Sequence, residues 1–479
     1  MDGGTPSLSC SADINQSATL EVHAMTSSPT HKSHDNLQAA VDAHDTQSIS
    51  DFLASANPAD ARHSISQLSD ADQRKLLEFL SSEDAAELVE DLPESQAAQI
   101  IERLSAKQAA AIVSEMPSDE QADVIARLPN NEAAAILNLM TAADAKETRR
   151  LMAYPSDSAG GLMITEMLSY EHNVTVGYVL DDLRENAEHY RSFDVQYAYV
   201  VAEAGQLVGV LRLRDLLLSL PSQTLSGVMI QEPLKVRDNA GLEELERFFD
   251  RHPLFGVPAV DAHGALVGVV RGVDVEQAAE ERSNRSFMKF MGIIGGEELR
   301  TMPLRMRSVR RLSWLTVNIL LNVVAASVIA FHQDTLSAVI SLAVFLPIIS
   351  DMSGCSGNQA VAVSMRELTL GVIRPSEMWR VFRKEAAVGA INGVVLGLLL
   401  GIVGWMWQGN MMLGVVIAVS LAANTLIAVC FGGLIPLALR GCGQDPALAS
   451  GPILTTITDM TGFFLVLTIA GQMLPWLTH

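Results

Sequence analysis

The sequence predicts a multidomain chain: an all-α helical-repeat solenoid, then an α/β tandem pair, then an all-α transmembrane domain of five helices. Three observations carry that prediction. A twelve-residue unit recurs eight times between Asn57 and Met152. Two β-rich runs of similar sequence follow it. Charge then collapses: of 33 basic and 55 acidic residues, 27 and 48 precede Leu312, leaving 6 and 7 beyond it.

A chain of 479 residues exceeds one domain. The acidic first part argues against nucleic acid and against docking on anionic lipid, and suits a protein that binds cations. Four cysteines, Cys10, Cys355, Cys430 and Cys442, form no CxxC pair, as expected in a reducing compartment or a membrane interior. No apolar leader opens the chain, so no signal peptide is expected. Residues 1–36 are rich in Ser, Thr, Asp and His, and such a segment buries too little apolar surface to offset chain entropy. A disordered tail is expected there.

The repeat occupies 37–153. Its units run from NPADARHSISQL to TAADAKETRRLM, and each ends in Leu or Met: Leu68, Leu80, Leu92, Leu104, Met116, Leu128, Met140 and Met152. Each opens with Ser, Pro, Asn or Thr followed by acids, which is helix-start chemistry. One short helix per unit cannot bury its apolar stripe alone, so neighbours must stack. Ser64 and Thr148 break the aliphatic pattern in the end units, as capping repeats would.

VQYAYVVAEAGQLVGVLRLRDLLLSL and LFGVPAVDAHGALVGVVRGVDVEQA each read as strand, glycine turn, strand and helix. Each resembles a cystathionine-β-synthase-type (CBS) domain, one over 154–220 and one over 221–278. The resemblance implies a regulatory pair, and ATP as a ligand held near the closing aspartates, here Asp215 and Asp274. Arg212 and Arg271 stand where that pattern has a hydroxyl.

Residues 279–311 read as a connecting helix, with Phe287, Phe290 and Met291 at helical spacing, ending in a cluster of arginines from Arg305 to Arg311. Five spans follow within 312–479: Trp314–Phe331, Thr335–Met365 with an internal break, Ala386–Trp407, Met411–Leu439 and Pro446–Trp476. The connectors at Asp334 and at 408–410 lack Lys and Arg, whereas Arg366 to Lys384 holds five. Positive charge stays on the cytoplasmic side, which places the soluble part in the cytoplasm and the C-terminus outside a cell (inner) membrane.

The last span contains Asp459. A carboxylate at bilayer depth is costly, on the order of 3 kcal/mol, unless it faces a cavity or a partner, and no Lys or Arg lies in that span to pair with it. Thr455 lies one turn before it. The second span adds Asp351, Asn358 and Gln359 beside Pro347, Gly354 and Gly357, and the fourth adds Asn424. These are oxygen donors with no His or Cys at ligand spacing, which suits a hard cation such as Mg²⁺. Regulatory acid candidates are Asp91, Glu94, Asp215, Glu276, Glu280 and Glu281.

YPSDSAGGLM, SGCSGNQA and DPALASGPILTTITDMTGF, within this domain order, resemble the MgtE magnesium channels over about 37–479. The resemblance implies a homodimer in membrane lipid with its pore between the two membrane halves. It implies Mg²⁺ entry down its gradient, and a connecting (plug) helix held closed when Mg²⁺ binds the soluble domains. Asp459 falls on the family's pore aspartate. Ser353, Gly354 and Cys355 replace its usual Gly-Gly-Asn, and Arg282 and Arg285 stand where it has carboxylates. Other readings are a Co²⁺ or Mn²⁺ transporter on the same scaffold, a membrane-embedded metal-dependent enzyme, and an interaction protein. The enzyme would need carboxylates grouped at a membrane face, and the membrane half has only scattered ones.

Overall fold

A computed structural model describes residues 29–477 apart from 192, 194, 195, 297 and 301. Of the expected tail, residues 1–28 lie outside the described residues, and 29–36 begin the first helix. The chain divides into two compact units, 1–279 and 280–479.

In the first unit, α1 (Pro29–Ala43) and α2 (Thr46–Ser55) precede the repeat. Each twelve-residue unit then forms one helix: α3 (Pro58–Gln67), α4 (Asp70–Phe79), α5 (Ser82–Glu90), α6 (Glu94–Glu102), α7 (Ala106–Val113), α8 (Ser118–Arg127), α9 (Asn130–Leu137) and α10 (Ala142–Leu151). The starts are chemical. Ser69, Ser81, Ser105 and Thr141 accept the backbone N–H three residues on, and Pro93, Pro117 and Pro129 hold the corresponding place in other units. From α5 onward each helix packs mainly against the second one along. The unit-ending residues Leu68, Leu92, Leu104, Met116, Leu128 and Met140 are buried in the resulting core.

Ser64 and Thr148 are also fully buried. The Thr148 hydroxyl lies 2.8 Å from the Asp144 carbonyl and 3.1 Å from Gln121 Oε1. These end units are therefore polar inside the stack.

The tandem pair follows: α11 (Ala159–Leu162), β1 (Met163–Ile164), β2 (Leu168–Glu171), α12 (Val176–Glu185), β3 (Tyr197–Val201), β4 (Leu207–Arg212), α13 (Leu213–Leu218), α14 (Leu225–Val228), β5 (Ile230–Gln231), β6 (Val236–Arg237), α15 (Leu242–Arg251), β7 (Gly256–Val260) and β8 (Leu266–Arg271). The two sheets have the orders β2-β3-β4-β5 and β1-β8-β7-β6. Within each, a parallel pair (β2 with β3, β6 with β7) adjoins an antiparallel hairpin (β3 with β4, β7 with β8). Strand β1 crosses over: Met163 pairs with Val270, so the first module completes the second module's sheet. The junction fixes that crossover. Ala159 and Gly160 donate to the carbonyls of Ala240 and Asp238, both at 2.7 Å. A Cβ on Gly160 would sit 2.3 Å from the Tyr154 ring, so this close approach requires glycine.

Helix α16 (Gly272–Phe290) begins in the tandem pair and continues into the second unit. There follow α17 (Leu304–Phe331), α18 (Gln333–Ala338), α19 (Leu342–Thr369), a 3₁₀ turn at Pro375–Glu377, α20 (Met378–Gln408), α21 (Met411–Gly441), α22 (Pro446–Gln472) and α23 (Leu474–Leu477). Among the described residues, four segments are long and apolar enough to cross a membrane: Leu304–Phe331, Pro375–Gln408, Met411–Gly441 and Gly451–Gln472. Helix α19 is a fifth long helix, of 28 residues, with a polar middle.

The second span is interrupted at 339–341, between α18 and α19, and not at Pro347, Gly354 and Gly357, which α19 passes unbroken. Its serines satisfy themselves by donating back one turn, Ser353 to Ile349 at 2.8 Å and Ser356 to Met352 at 3.1 Å. Gly432 of α21 gives room, since a Cβ there would stand 2.3 Å from the Gly357 carbonyl, and a Cβ on Gly357 would stand 3.0 Å from the Ala428 carbonyl. The same device joins α20 to α21, where Gly393 and Gly397 lie against the Ala422 and Ala418 carbonyls.

Candidate functional site

Asp459 lies on α22, seven residues after the helix-interior Pro452. It is half-buried, and the Ser350 hydroxyl of α19 donates to its Oδ1. Helices α19, α21 and α22 pack on one another around this point. Thr455 is exposed one turn earlier on α22, and its hydroxyl donates to the Gly451 carbonyl at 2.9 Å. Asp351, Asn358 and Gln359 are exposed along α19, the helix that supplies Ser350.

Asn424 differs from these. It is fully buried between α21 and α22, with its amide engaged by Thr458 and Thr461, so it is not a surface oxygen of this bundle. Sequence reasoning missed Ser350, because it stands beside Asp351 among several serines of one polar stretch and is singled out only where α19 meets α22.

The expected regulatory acids are not brought together. Asp91 is exposed at the end of α5, and Glu94 is ion-paired with Arg127. Asp215 pairs with Arg214 at 3.2 Å. On α16, Glu276 and Glu280 are exposed, and Glu281 reaches Arg285 at 3.6 Å.

A different cluster forms in the first unit where α8 meets the second module. The Glu166 carboxylate accepts the Ser118 N–H at 3.1 Å and the Ser118 hydroxyl at 2.8 Å, which caps the start of α8. The next residue, Asp119, is buried near Asp274, and Arg271 bridges the two. Its guanidinium lies 2.6 and 2.8 Å from Asp274 and 3.9 Å from Asp119. Burial, then the Asp274 charge, pushes the Asp119 carboxyl up to about 7 against the pull of Arg271. Burial, then Asp119, Asp123, Glu90 and Asp274, pushes Glu120 up to about 8. Burial also raises Glu90. One guanidinium thus serves several crowded carboxyls.

Asp274, read from the sequence as a nucleotide residue, is occupied by this pairing. Between the two sheets a cleft is lined by Tyr197, Tyr199, Arg212, Glu232 and Pro258. Among the described residues, no group of three or more His, Cys, Asp or Glu is arranged to hold a metal.

In the second unit, Lys289 of α16 pairs with Asp445, the cap of α22, at 2.9 Å. Glu298 is held by Arg307 at 3.2 Å and by Arg311.

A lone acid braced inside a bundle of membrane-length helices, in a chain that also carries a repeat domain and an α/β pair, defines a membrane transporter for cations. The family described as a divalent cation transporter, MgtE, matches residues 346–469, and the MgtE intracellular N domain matches 56–157. The magnesium transporter MgtE of Bacillus subtilis is 32% identical over 336 residues, 70% of this chain and 73% of the relative. That of Thermus thermophilus is 33% identical over 341 residues, 70% and 74%. The chain belongs to the MgtE family of magnesium transporters.

Among solved structures, the soluble part of a magnesium transporter covers 53% of this chain and 99% of its own, at 21% identity and a TM-score of 0.48. The cytosolic domain of the Mg²⁺ channel MgtE in complex with ATP covers 51% and 99%, at 29% identity and a TM-score of 0.47.

Proposed function

We propose that this chain is a Mg²⁺ channel that admits Mg²⁺ to the cytoplasm down its electrochemical gradient and closes when Mg²⁺ binds its soluble part. The observation that carries the reading is Asp459, an intramembrane carboxylate whose partner among the described residues is a hydroxyl rather than a cation. Mg²⁺ gives up its waters reluctantly and binds through one or two carboxylates while keeping several of them. One carboxylate per subunit of a homodimer, flanked by Thr455, Asp351, Asn358 and Gln359, suits a largely hydrated ion.

The proposed division is a repeat domain at 37–153, two CBS modules at 154–220 and 221–278, a connecting helix at 279–311 and a membrane pore at 312–479. The soluble domains lie in the cytoplasm, and the C-terminus lies outside. Regulation is assigned first to Glu90, Asp119, Glu120 and Asp274, whose crowded charge an ion would relieve. Asp91, Glu94, Asp215, Glu276, Glu280 and Glu281 are further regulatory candidates. The tyrosine-lined cleft with Arg212 suits ATP, the tyrosines for the base and the guanidinium for the phosphates. Purified protein in liposomes should take up Mg²⁺ without ATP, faster than Co²⁺ or Mn²⁺, and uptake should fall as Mg²⁺ on the soluble-domain side rises. Uptake that requires ATP, or that ignores that Mg²⁺, would reject the mechanism.

A further inference from the structure

Helix α21 is apolar except for a few residues, and Asn424 is the bulkiest polar group wholly inside it. A buried primary amide without partners is costly, and at bilayer depth no water makes up the loss. Here both ends are used, and both contacts reach one stretch of α22. Asn424 Nδ2 donates to the Thr458 carbonyl at 3.1 Å. The Thr461 hydroxyl lies 2.6 Å from Asn424 Oδ1 and 2.7 Å from the Ile457 carbonyl, so its single proton serves one of them at a time.

Thr458 immediately precedes Asp459. Its carbonyl belongs to the same planar peptide group as the Asp459 N–H, so a bond to that oxygen fixes the plane from which the carboxylate projects. Space for the amide is built in: a Cβ on Gly462 would stand 2.7 Å from Asn424 Nδ2. Ser350 grips the carboxylate from α19, while Asn424 grips its peptide from α21.

We propose that Asn424 is a positioning residue for Asp459, with Thr461 and Gly462 as its supports, and that this brace sets the choice between Mg²⁺ and Ca²⁺. The inference rests on Asp459 being the pore carboxylate. Mg²⁺ demands near-ideal octahedral geometry, whereas Ca²⁺ accepts irregular ligand sets. A carboxylate held at one depth and direction favours the stricter ion, and a loosened one favours Ca²⁺.

The test is Mg²⁺ and Ca²⁺ uptake by the purified full chain in liposomes, comparing Asn424→Leu, Thr461→Val and Gly462→Ala with wild type. Thermal unfolding and size-exclusion profiles check each variant. The Mg²⁺-to-Ca²⁺ ratio should fall about fivefold in Asn424→Leu, the factor that corresponds to ~1 kcal/mol for one hydrogen bond. Gly462→Ala should shift it in the same direction by displacing the amide. Folded variants that lose rate for both ions equally and keep the wild-type ratio would overturn the proposal. If Asn424→Leu fails to fold, Thr461→Val, which removes only a hydroxyl, gives the deciding ratio. Asp459→Ala is run alongside. Wild-type uptake there fails the pore reading itself, whereas lost uptake with unchanged ratios in the brace variants fails only this inference.

Discussion

At the scale of single residues, Ser350 and Asp459 form the central pair. A hydrogen bond to a charged group contributes ~1.5–3 kcal/mol, so Ser350→Ala should weaken the carboxylate's placement without removing its charge. Mg²⁺ uptake by Ser350→Ala should fall about tenfold or more while the protein stays folded; undiminished uptake would show that the bond has no part in conduction. Asp459 was legible in the sequence because an acid in an apolar run stands out. Ser350 was not, because its role exists only where two helices far apart in sequence meet. Asn424 was visible as an oxygen, but its direction was not: burial turns it from an expected pore lining into a contact between α21 and α22.

Among the elements, the eight repeat units were legible, since each opens on a Ser, Thr, Asn or Pro start signal and ends in Leu or Met, and one helix answers to each. The second span misled because serines and glycines in an apolar run look like a break. The serine hydroxyls are satisfied within the helix by donating back one turn, and Gly357 serves contact with α21. Crossover β1 was hidden because two residues carry no strand pattern and their partner lies in the other module. The glycines of α20 yield a prediction at this scale. A Cβ on Gly397 would stand 2.4 Å from the Ala418 carbonyl, a backbone atom that cannot swing aside. Gly397→Ala should lower the thermal stability of the detergent-solubilised protein, by ~1–3 kcal/mol as overpacked cores do. An unchanged melting temperature would contradict this packing.

For the whole molecule, charge divides the chain into a strongly acidic first part and a nearly neutral apolar second part. The acids that matter most in the first unit, Asp119 and Glu120, pass in the sequence for ordinary helix-start residues. Only the docking of α8 on the second module brings Asp119 beside Asp274 and Arg271, while Glu90 of α5 and Asp123 of α8 itself add to the crowding around Glu120. Their carboxyls titrate higher folded than unfolded, near 7 and 8 against 3.8 and 4.5. Folding therefore retains protons that the unfolded chain releases, so this unit loses stability as pH rises from about 4 to about 8 and levels off above. Without divalent cations, the melting temperature of its transition in the full chain should drop across that window. Asp119→Asn with Glu120→Gln should flatten the drop, and so should millimolar Mg²⁺. A pH profile unaffected by both would remove this cluster from regulation.

The proposed regulation presupposes the proposed pore through Asp459. The most direct measurement is Mg²⁺ influx into liposomes containing purified Asp459→Ala beside wild type, at equal protein and equal gradient. The account predicts that influx falls to the level of protein-free liposomes while the variant remains folded; influx equal to wild type would contradict it.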